Sequence, residues 1–221
     1  MKKFFVALGM LGAVGAVVGT VRAARTWGAM PTERNMELSG DLHVLNPDTV
    51  ATHGITIDAP PEDIWPWLLQ LGQDRGGFYS YEVLENFIGC EIEGVFDIRP
   101  EWQSREVGDI VPLAPGVELV VGEIVQNRAL VLMEDPTEVG PTFPGLPEHF
   151  SWAFVLIPAS GGQTRLLTRE RYSWGKDGGS LSRMVTVLSC IMTDKMLRTI
   201  KVLSEGSPEI APTAPRAGIL Y

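Results

Sequence analysis

Ile55-Thr56-Ile57-Asp58-Ala59-Pro60-Pro61-Glu62-Asp63-Ile64-Trp65-Pro66-Trp67-Leu68-Leu69-Gln70-Leu71-Gly72 is a short alternating strand that runs into a proline-marked turn and then an amphipathic helix. Ile64, Trp67, Leu68 and Leu71 fall at i, i+3, i+4 and i+7 and make one apolar face. Pro66 leaves two starts open. With Asp63 as N-cap, Pro66 takes the third helical position, where the missing N–H is an orphan in any case. With a start nearer Pro61, the proline kinks the helix. Either way a wide aromatic-aliphatic face must be covered by the rest of the chain. Upstream, Val50 to Asp58 reads as a strand with Ala51, His53, Ile55 and Ile57 on one side. Downstream, Gly72-Gln73-Asp74-Arg75-Gly76-Gly77 matches neither the G-x-G-x-x-G nor the Walker spacing and reads as a turn, with Gly72 closing the helix. Ser80 then opens a second short helix, Tyr81 to Ile88.

From Val95 the pattern becomes that of strands. Val107 to Leu113 is an edge strand, since it contains Pro112. Glu118 to Gln126 and Arg128 to Glu134 form a hairpin about Asn127-Arg128. Phe150 to Ile157 places Phe150, Trp152, Phe154 and Leu156 on one side. After Ser160-Gly161-Gly162, the strand Thr164 to Trp174 sets Arg165, Arg169 and Arg171 against Leu166, Thr168, Glu170 and Tyr172. The longest helix comes last, Ser180 to Leu203, with Leu181, Met184, Val185, Leu188, Met192, Met196, Thr199, Ile200 and Leu203 at helical spacing. The prediction is an α+β domain of about six or seven antiparallel strands, with two short helices after the first strand and a long helix at the end.

Composition narrows the function. The formal charge is −9 over 221 residues; residues 1–25 carry four basic and no acidic side chains, so the remainder has 14 basic against 27 acidic, net −13. A domain that acidic repels phosphate backbones, which argues against nucleic acid as a partner. Three histidines, His43, His53 and His149, are too scattered for a metal set, and no metal or cofactor is expected. Cys90 and Cys190 read as two separate buried thiols, with a single bridge open to an exported domain. Phe4 to Val21 is an uncharged run of eighteen residues between Lys2-Lys3 and Arg22/Arg25. It is read as an N-terminal apolar helix, a single-pass anchor holding the domain outside the cytoplasm; the alternative is a secretory signal cleaved near Ala23. The expected organisation is an anchor or signal over 1–25, a linker over 26–47, the domain over 48–205 and a proline-rich tail over 206–221.

The order strand, two short helices, antiparallel strands and long C-terminal helix is the helix-grip arrangement. Ile55-x-Ile57-x-Ala59-Pro60-Pro61-Glu62-x-Ile64-Trp65-Pro66-Trp67-Leu68-x-Gln70-Leu71-Gly72 resembles the bacterial SRPBCC proteins, the superfamily of START lipid-transfer domains, polyketide cyclases and birch-pollen-type allergens. Val107-Gly108-Asp109, Arg128 to Leu132 and Thr164-Arg165-Leu166 through Arg169-x-Arg171 fit the same pattern in order, so the likeness spans about residues 48–205. It implies a curved sheet around the long helix, with a hydrophobic cavity between them.

The expected cavity residues are Trp152 and Phe154 or their strand neighbours, since alternation alone does not fix which face turns inward, with Met192 and Met196, and with Tyr79 and Trp102 at the rim. Arg165, Arg169 and Arg171 face solvent by default, because three unpaired arginines cannot lie in an apolar cavity; the sharper alternative has Arg169 inside, holding a ligand's carboxylate or phosphate. Three functions compete. The first is binding and transport of a hydrophobic molecule or lipid at a membrane. The second is a cyclase or dehydratase in which a cavity acid or base moves a proton, for which Glu170, Asp74, Tyr79 and His53 are the candidates. The third is a filled core with a surface for a protein partner.

Overall fold

The computed structural model describes residues 23–80, 94–114, 116–137, 147–174 and 180–206. Its elements run α1 (Pro31–Asn35), β1 (Thr49–Ile57), α2 (Pro61–Leu69), a 3₁₀ turn at Pro100–Trp102, β2 (Ile110–Ala114), β3 (Val117–Val125), β4 (Ala129–Met133), β5 (His149–Pro158), a 3₁₀ turn at Ser160–Gly162, β6 (Thr164–Ser173) and α3 (Ser180–Ser204). The strands form one antiparallel sheet in the order β1-β6-β5-β4-β3-β2. Strands β2 to β6 are a meander, and β1 returns to pair with the last of them. The α+β arrangement of six antiparallel strands and a long C-terminal helix is as expected.

Local chemistry fixes the connections. Asn127 turns the β3–β4 hairpin with φ of 57°, and Gly161 and Gly162 turn β5 into β6 with φ of 75° and 78°. The β3–β4 register shifts between Val121 and Glu123; a Cβ on the intervening Gly122 would sit 2.4 Å from the Met133 sulfur. Helix α2 begins at Pro61, the earlier of the two predicted starts. Pro66 therefore lies inside it and removes the hydrogen bond that the Glu62 carbonyl would accept.

One face of the sheet carries Leu130, Leu132, Trp152, Phe154 and Leu166, which cluster with Ile64 and Leu68 of α2 and with Met196, Leu197 and Ile200 of α3. Each large side chain buried there contributes about 1.5–3 kcal/mol. The predicted face of α3 holds only in its C-terminal half. Further up the helix Ser182, Thr186, Cys190 and Thr193 are buried, while Met184 and Ile191 are 67% and 48% exposed. A buried carboxylate on β6, described below, supplies the reason at Thr193, which donates to it, while the Thr186 hydroxyl turns back to the Ser182 carbonyl of its own helix.

The opposite face carries the three arginines, as alternation predicts, but it does not meet solvent. Residues 29–46, expected to be a linker, fold across it as a strap. Arg165 donates from Nε and Nη2 to the Glu33 carboxylate at 2.8 and 2.9 Å. Arg169 bonds Asp41 at 2.7 Å, the carbonyls of Met36 and Glu33 at 2.8 and 2.6 Å, and Thr52 Oγ1 at 3.2 Å. Arg171 reaches Asp41 and the Val44 carbonyl. Gly40 lies so close to the sheet that a Cβ would be 2.8 Å from a Val131 methyl. Glu33, Leu38 and Val44 of the strap are themselves buried. Acidic and carbonyl oxygens of the strap thus satisfy one buried guanidinium, that of Arg169, and two part-buried ones beside it.

Among the described residues no helix is long and apolar enough to cross a membrane. The apolar run Phe4 to Val21, the second short helix, Cys90 and the tail beyond residue 206 lie outside the described residues. Cys190 is a buried free thiol.

Candidate functional site

Glu170 sits on β6, facing α3, and is fully buried. The antiparallel register places Trp152 of β5 and Ala51 of β1 directly opposite it, and Phe154 and His53 opposite its strand neighbour Thr168. Ser189 and Thr193, one turn apart on α3, point down at this rung. Thr193 Oγ1 donates to Glu170 Oε1 at 2.8 Å, Ser189 Oγ donates to Oε2 at 2.8 Å, and the Tyr172 hydroxyl donates to the same Oε2. Among the described residues Glu170 has no cationic partner within ion-pairing distance. Hydroxyl donors alone hold the carboxylate.

The surroundings obey that charge. Complete burial, and next the adjacent carboxylate, push the Tyr172 phenol well above its ordinary value, which keeps it a donor. Burial and then Glu170 push the Cys190 thiol up to about 12, so it carries no thiolate at neutral pH. Aromatic rings flank the cluster. Tyr172 stacks on Trp174 at 5.2 Å and meets Phe150 at 4.9 Å; on the other side Trp152 lies 4.8 Å from Phe154 and 6.1 Å from Phe78.

Several polar atoms on this face are buried without any hydrogen-bond partner: Trp152 Nε1, Thr168 Oγ1, His53 Nδ1 and Trp174 Nε1. His53 Nε2 lies 2.7 Å from the Ala24 carbonyl, so it carries the proton, and in the neutral ring Nδ1 is a bare acceptor. The face therefore offers two indole donors, one acceptor and one hydroxyl that can act either way. Residues 24–27 lie along the free edge of β1, where Thr52 and Gly54 donate to the carbonyls of Arg25 and Trp27. Trp27 in turn lies under the Arg198 guanidinium, 4.5 Å from its ring centre.

The structure sorts the candidate residues. Of the acid–base candidates, Glu170 and His53 share this face on adjacent rungs. Asp74 is exposed on the Gly72–Gly77 turn, and Tyr79 is occupied elsewhere. The Tyr79 hydroxyl accepts from Gln70 Nε2 at 3.2 Å, and burial pushes its phenol up to about 12. Gln70 itself binds the Arg99 N–H at 2.6 Å and Gln103 Nε2 at 3.0 Å, so it ties the 97–103 segment to the end of α2. Among the expected ligand residues, Trp152, Phe154, Met196 and Tyr79 belong to the one core cluster. Met192 is half-buried, its carbonyl taken by Ser80. Trp102 is half-buried outside the cluster, and its carbonyl accepts from Arg75. Arg169 is removed from the ligand set: it lies on the far face, 3% exposed and saturated by the strap.

The sequence reading does not name Ser189 and Thr193, which lie off the apolar spacing it follows along α3. Their i, i+4 spacing opposite an inward glutamate was the available signal. Among the described residues no three histidine, cysteine or carboxylate side chains gather as a metal set.

A second feature lies on the other side of α2. A recess of about 610 Å³ is bounded by Glu62, Trp65, Pro66 and Leu69 of that helix, by residues 103–106, and by Ile124, Gln126 and Asn127 of the β3–β4 hairpin. Arg105 forms part of its wall. Burial, and then the neighbouring charge of Arg75, bring that guanidinium down to about 10.

No family model matches the chain, and no curated protein sequence matches it. Solved structures do resemble it remotely. A Mesorhizobium loti protein is 15% identical with a TM-score of 0.44, over 72% of this chain and 98% of that one. A protein of Arthrobacter aurescens is 13% identical with a TM-score of 0.43, over 80% and 99%. An Hsp90 activator from Plasmodium falciparum is 16% identical with a TM-score of 0.39, over 69% and 94%. At that distance they carry nothing about function, and the helix-grip description rests on this chain's own strand order and helix.

Proposed function

We propose that the chain binds a hydrophobic small molecule bearing a polar group, between the helix-facing side of its sheet and α3. The observation that supports this reading is the set of partnerless buried atoms, Trp152 Nε1, Thr168 Oγ1 and His53 Nδ1, grouped on adjacent rungs beside Glu170. Buried polar groups in folded proteins are nearly always paired, and a missing partner costs about 1–3 kcal/mol each. A ligand hydroxyl or carbonyl would supply those partners, and the surrounding aromatic rings would hold an apolar body. Within this proposal the apolar run Phe4 to Val21 is a membrane anchor that keeps the domain beside a lipid source.

The test is extraction of the full-length chain, purified from its own membranes, followed by mass spectrometry. The expected result is a stoichiometric apolar compound with an oxygen function. A chain that yields no such compound and takes none up from added lipid would overturn the proposal.

One observation favours a second reading, a proton-transfer enzyme of the cyclase or dehydratase type. Glu170 is a buried carboxylate without a cation, in contact with three hydroxyl groups that can pass a proton along. On this reading Glu170→Gln binds the ligand as before and turns none of it over; retained turnover removes Glu170 from the chemistry.

A further inference from the structure

The strap faces two ways. Glu33, Leu38 and Val44 turn to the sheet and are buried, while Met30, Met36, Leu42 and Leu45 stand outward. Val50, paired with Arg171 on the strap side of β1, joins them. These five are nearly half of the eleven large apolar side chains exposed among the described residues, and all fall within residues 30–50. Leu42 and Leu45 are 74% and 69% exposed. A lone exposed leucine is ordinary, but several on one short segment mark a surface that meets something apolar. The arginine ties hold the arrangement. Arg169 grips the Met36 carbonyl, Arg171 the Val44 carbonyl, and Asp41 between them bonds both guanidinium groups. With the backbone pinned at those points, turning Leu42 or Leu45 inward would break charge-assisted bonds.

The place of the strap in the chain names what it meets. Only residues 22–29 separate the uncharged run Phe4 to Val21 from Met30. Fully extended they reach about 28 Å. Residues 24–27 are tied along β1 through Thr52 and Gly54, so the strap stays close to the end of the run. We propose that the outward face of the strap lies on the lipid bilayer that the run enters, with Met36, Leu42 and Leu45 at the boundary of headgroups and acyl chains. This rests on the reading of Phe4 to Val21 as an anchor and adds the face that the domain turns to the membrane. Charge selects the lipid. Beyond residue 25 the chain is net −13, and the exposed charges of residues 30–50 are Arg34, Glu37 and Asp48. One cation against two acids gives no attraction for an anionic headgroup. The contact is therefore apolar and is made best with a zwitterionic lipid such as phosphatidylcholine.

The test uses the full chain in phosphatidylcholine vesicles, with a bimane label on Leu42→Cys or Leu45→Cys in a Cys90→Ser background, where Cys190 stays buried. Val107→Cys, exposed just before the edge strand β2 at the far side of the sheet from β1, is the control. A nitroxide lipid is expected to quench the strap labels at least about threefold more than the control, and aqueous iodide to quench them less. Replacing about a third of the lipid by phosphatidylglycerol should weaken the lipid contact. Leu42→Ser with Leu45→Ser, tolerated by the fold at their exposure, should remove the lipid quenching of a Met36→Cys label. A chain that does not float with the vesicles overturns the anchor and the docking together. A chain that floats with its strap labels as open to iodide as the control overturns the docking alone. Iodide protection that grows with the protein-to-lipid ratio, without lipid quenching, makes the occupant a second copy of the chain and overturns the membrane assignment. Closer contact on phosphatidylglycerol overturns the choice of lipid.

Discussion

Thr193 on α3 donates to Glu170 on β6 at 2.8 Å, a bond between the long helix and the middle of the sheet face it covers. Two structural properties meet there. The carboxylate is kept dry by the sheet and aromatic rings, and the helix gives up part of its apolar face to solvate it. Hydrogen bonds to a charged group are stronger than neutral ones, and breaking one leaves the charge short of a partner.

That exchange predicts an inverted mutational pattern on α3. Thr193→Val, nearly isosteric and more hydrophobic, is expected to cost about 1–3 kcal/mol because Glu170 loses a donor. Ile191→Ser, which removes a large apolar side chain from a helix, is expected to change stability by no more than about 0.5 kcal/mol, because Ile191 is 48% exposed. Urea unfolding of both variants checks the pair. The opposite order would mean that Ile191 and not Thr193 faces the sheet.

The strap carries the second prediction. Asp41 faces both Arg169 and Arg171, so Asp41→Asn leaves one buried and one part-buried cation short of a charge partner and is expected to cost about 3–5 kcal/mol. Hydrogen exchange should show residues 29–46 opening more readily in the variant, with Leu38 and Val44 still buried but the ion pairs of Asp41 gone. Full protection of the strap in Asp41→Asn would contradict the clamp.

Acid should release the same strap. Burial pushes Glu33 up, but its bonds to Arg165 and to the Met30 N–H, with the charges of Arg165 and Arg34, together hold its carboxyl below the usual 4.5. A depressed folded-state pKa contributes stability that is present above the unfolded value and is lost as pH falls through the folded one. The expected outcome is an acid-induced loss of stability beginning below about pH 4.5 that is shallower in Glu33→Gln, measured by denaturant unfolding against pH. Identical acid profiles for wild type and variant would exclude Glu33 as the group responsible.

Cys190 gives a simpler check. Buried and pushed to about 12, it should resist a water-soluble thiol reagent at pH 8 in the folded chain and react at once in denaturant. The experiment uses a Cys90→Ser background so that one thiol is counted. Rapid native labelling would show that the α3–β6 interface opens.

What the sequence disclosed followed physical lines. Strands with clean alternation, such as β5 and β6, were legible down to which residues share a face, because a period of two fixes faces without knowing the partner. The hairpin at Asn127 was legible because the turn demands positive φ. The N-terminal half of α3 was misread because periodicity weighs hydrophobicity and cannot weigh a carboxylate arriving from a strand ten or more residues away. The strap was missed for a related reason: residues 29–46 have no period, and their place is set by Glu33 and Asp41 meeting arginines more than a hundred residues on. Of the site, Glu170 and His53 were named without their relation to each other. Leu42 and Leu45 carried no signal, since exposure on the strap is a property of the fold alone.

The central claim is a ligand on the Glu170 face, and the most direct measurement is a titration of the full chain with a fluorescent fatty alcohol, for wild type, Trp152→Phe and Thr168→Val. Thr168→Val removes one partnerless polar atom at nearly constant volume, whereas Trp152→Phe removes the indole N–H together with part of the ring, so the Thr168 variant carries the comparison. The account predicts saturable binding near one per chain, weakened about three- to tenfold by each substitution, as expected for the loss of one hydrogen bond. No saturable binding, or binding that both variants leave unchanged, would contradict it.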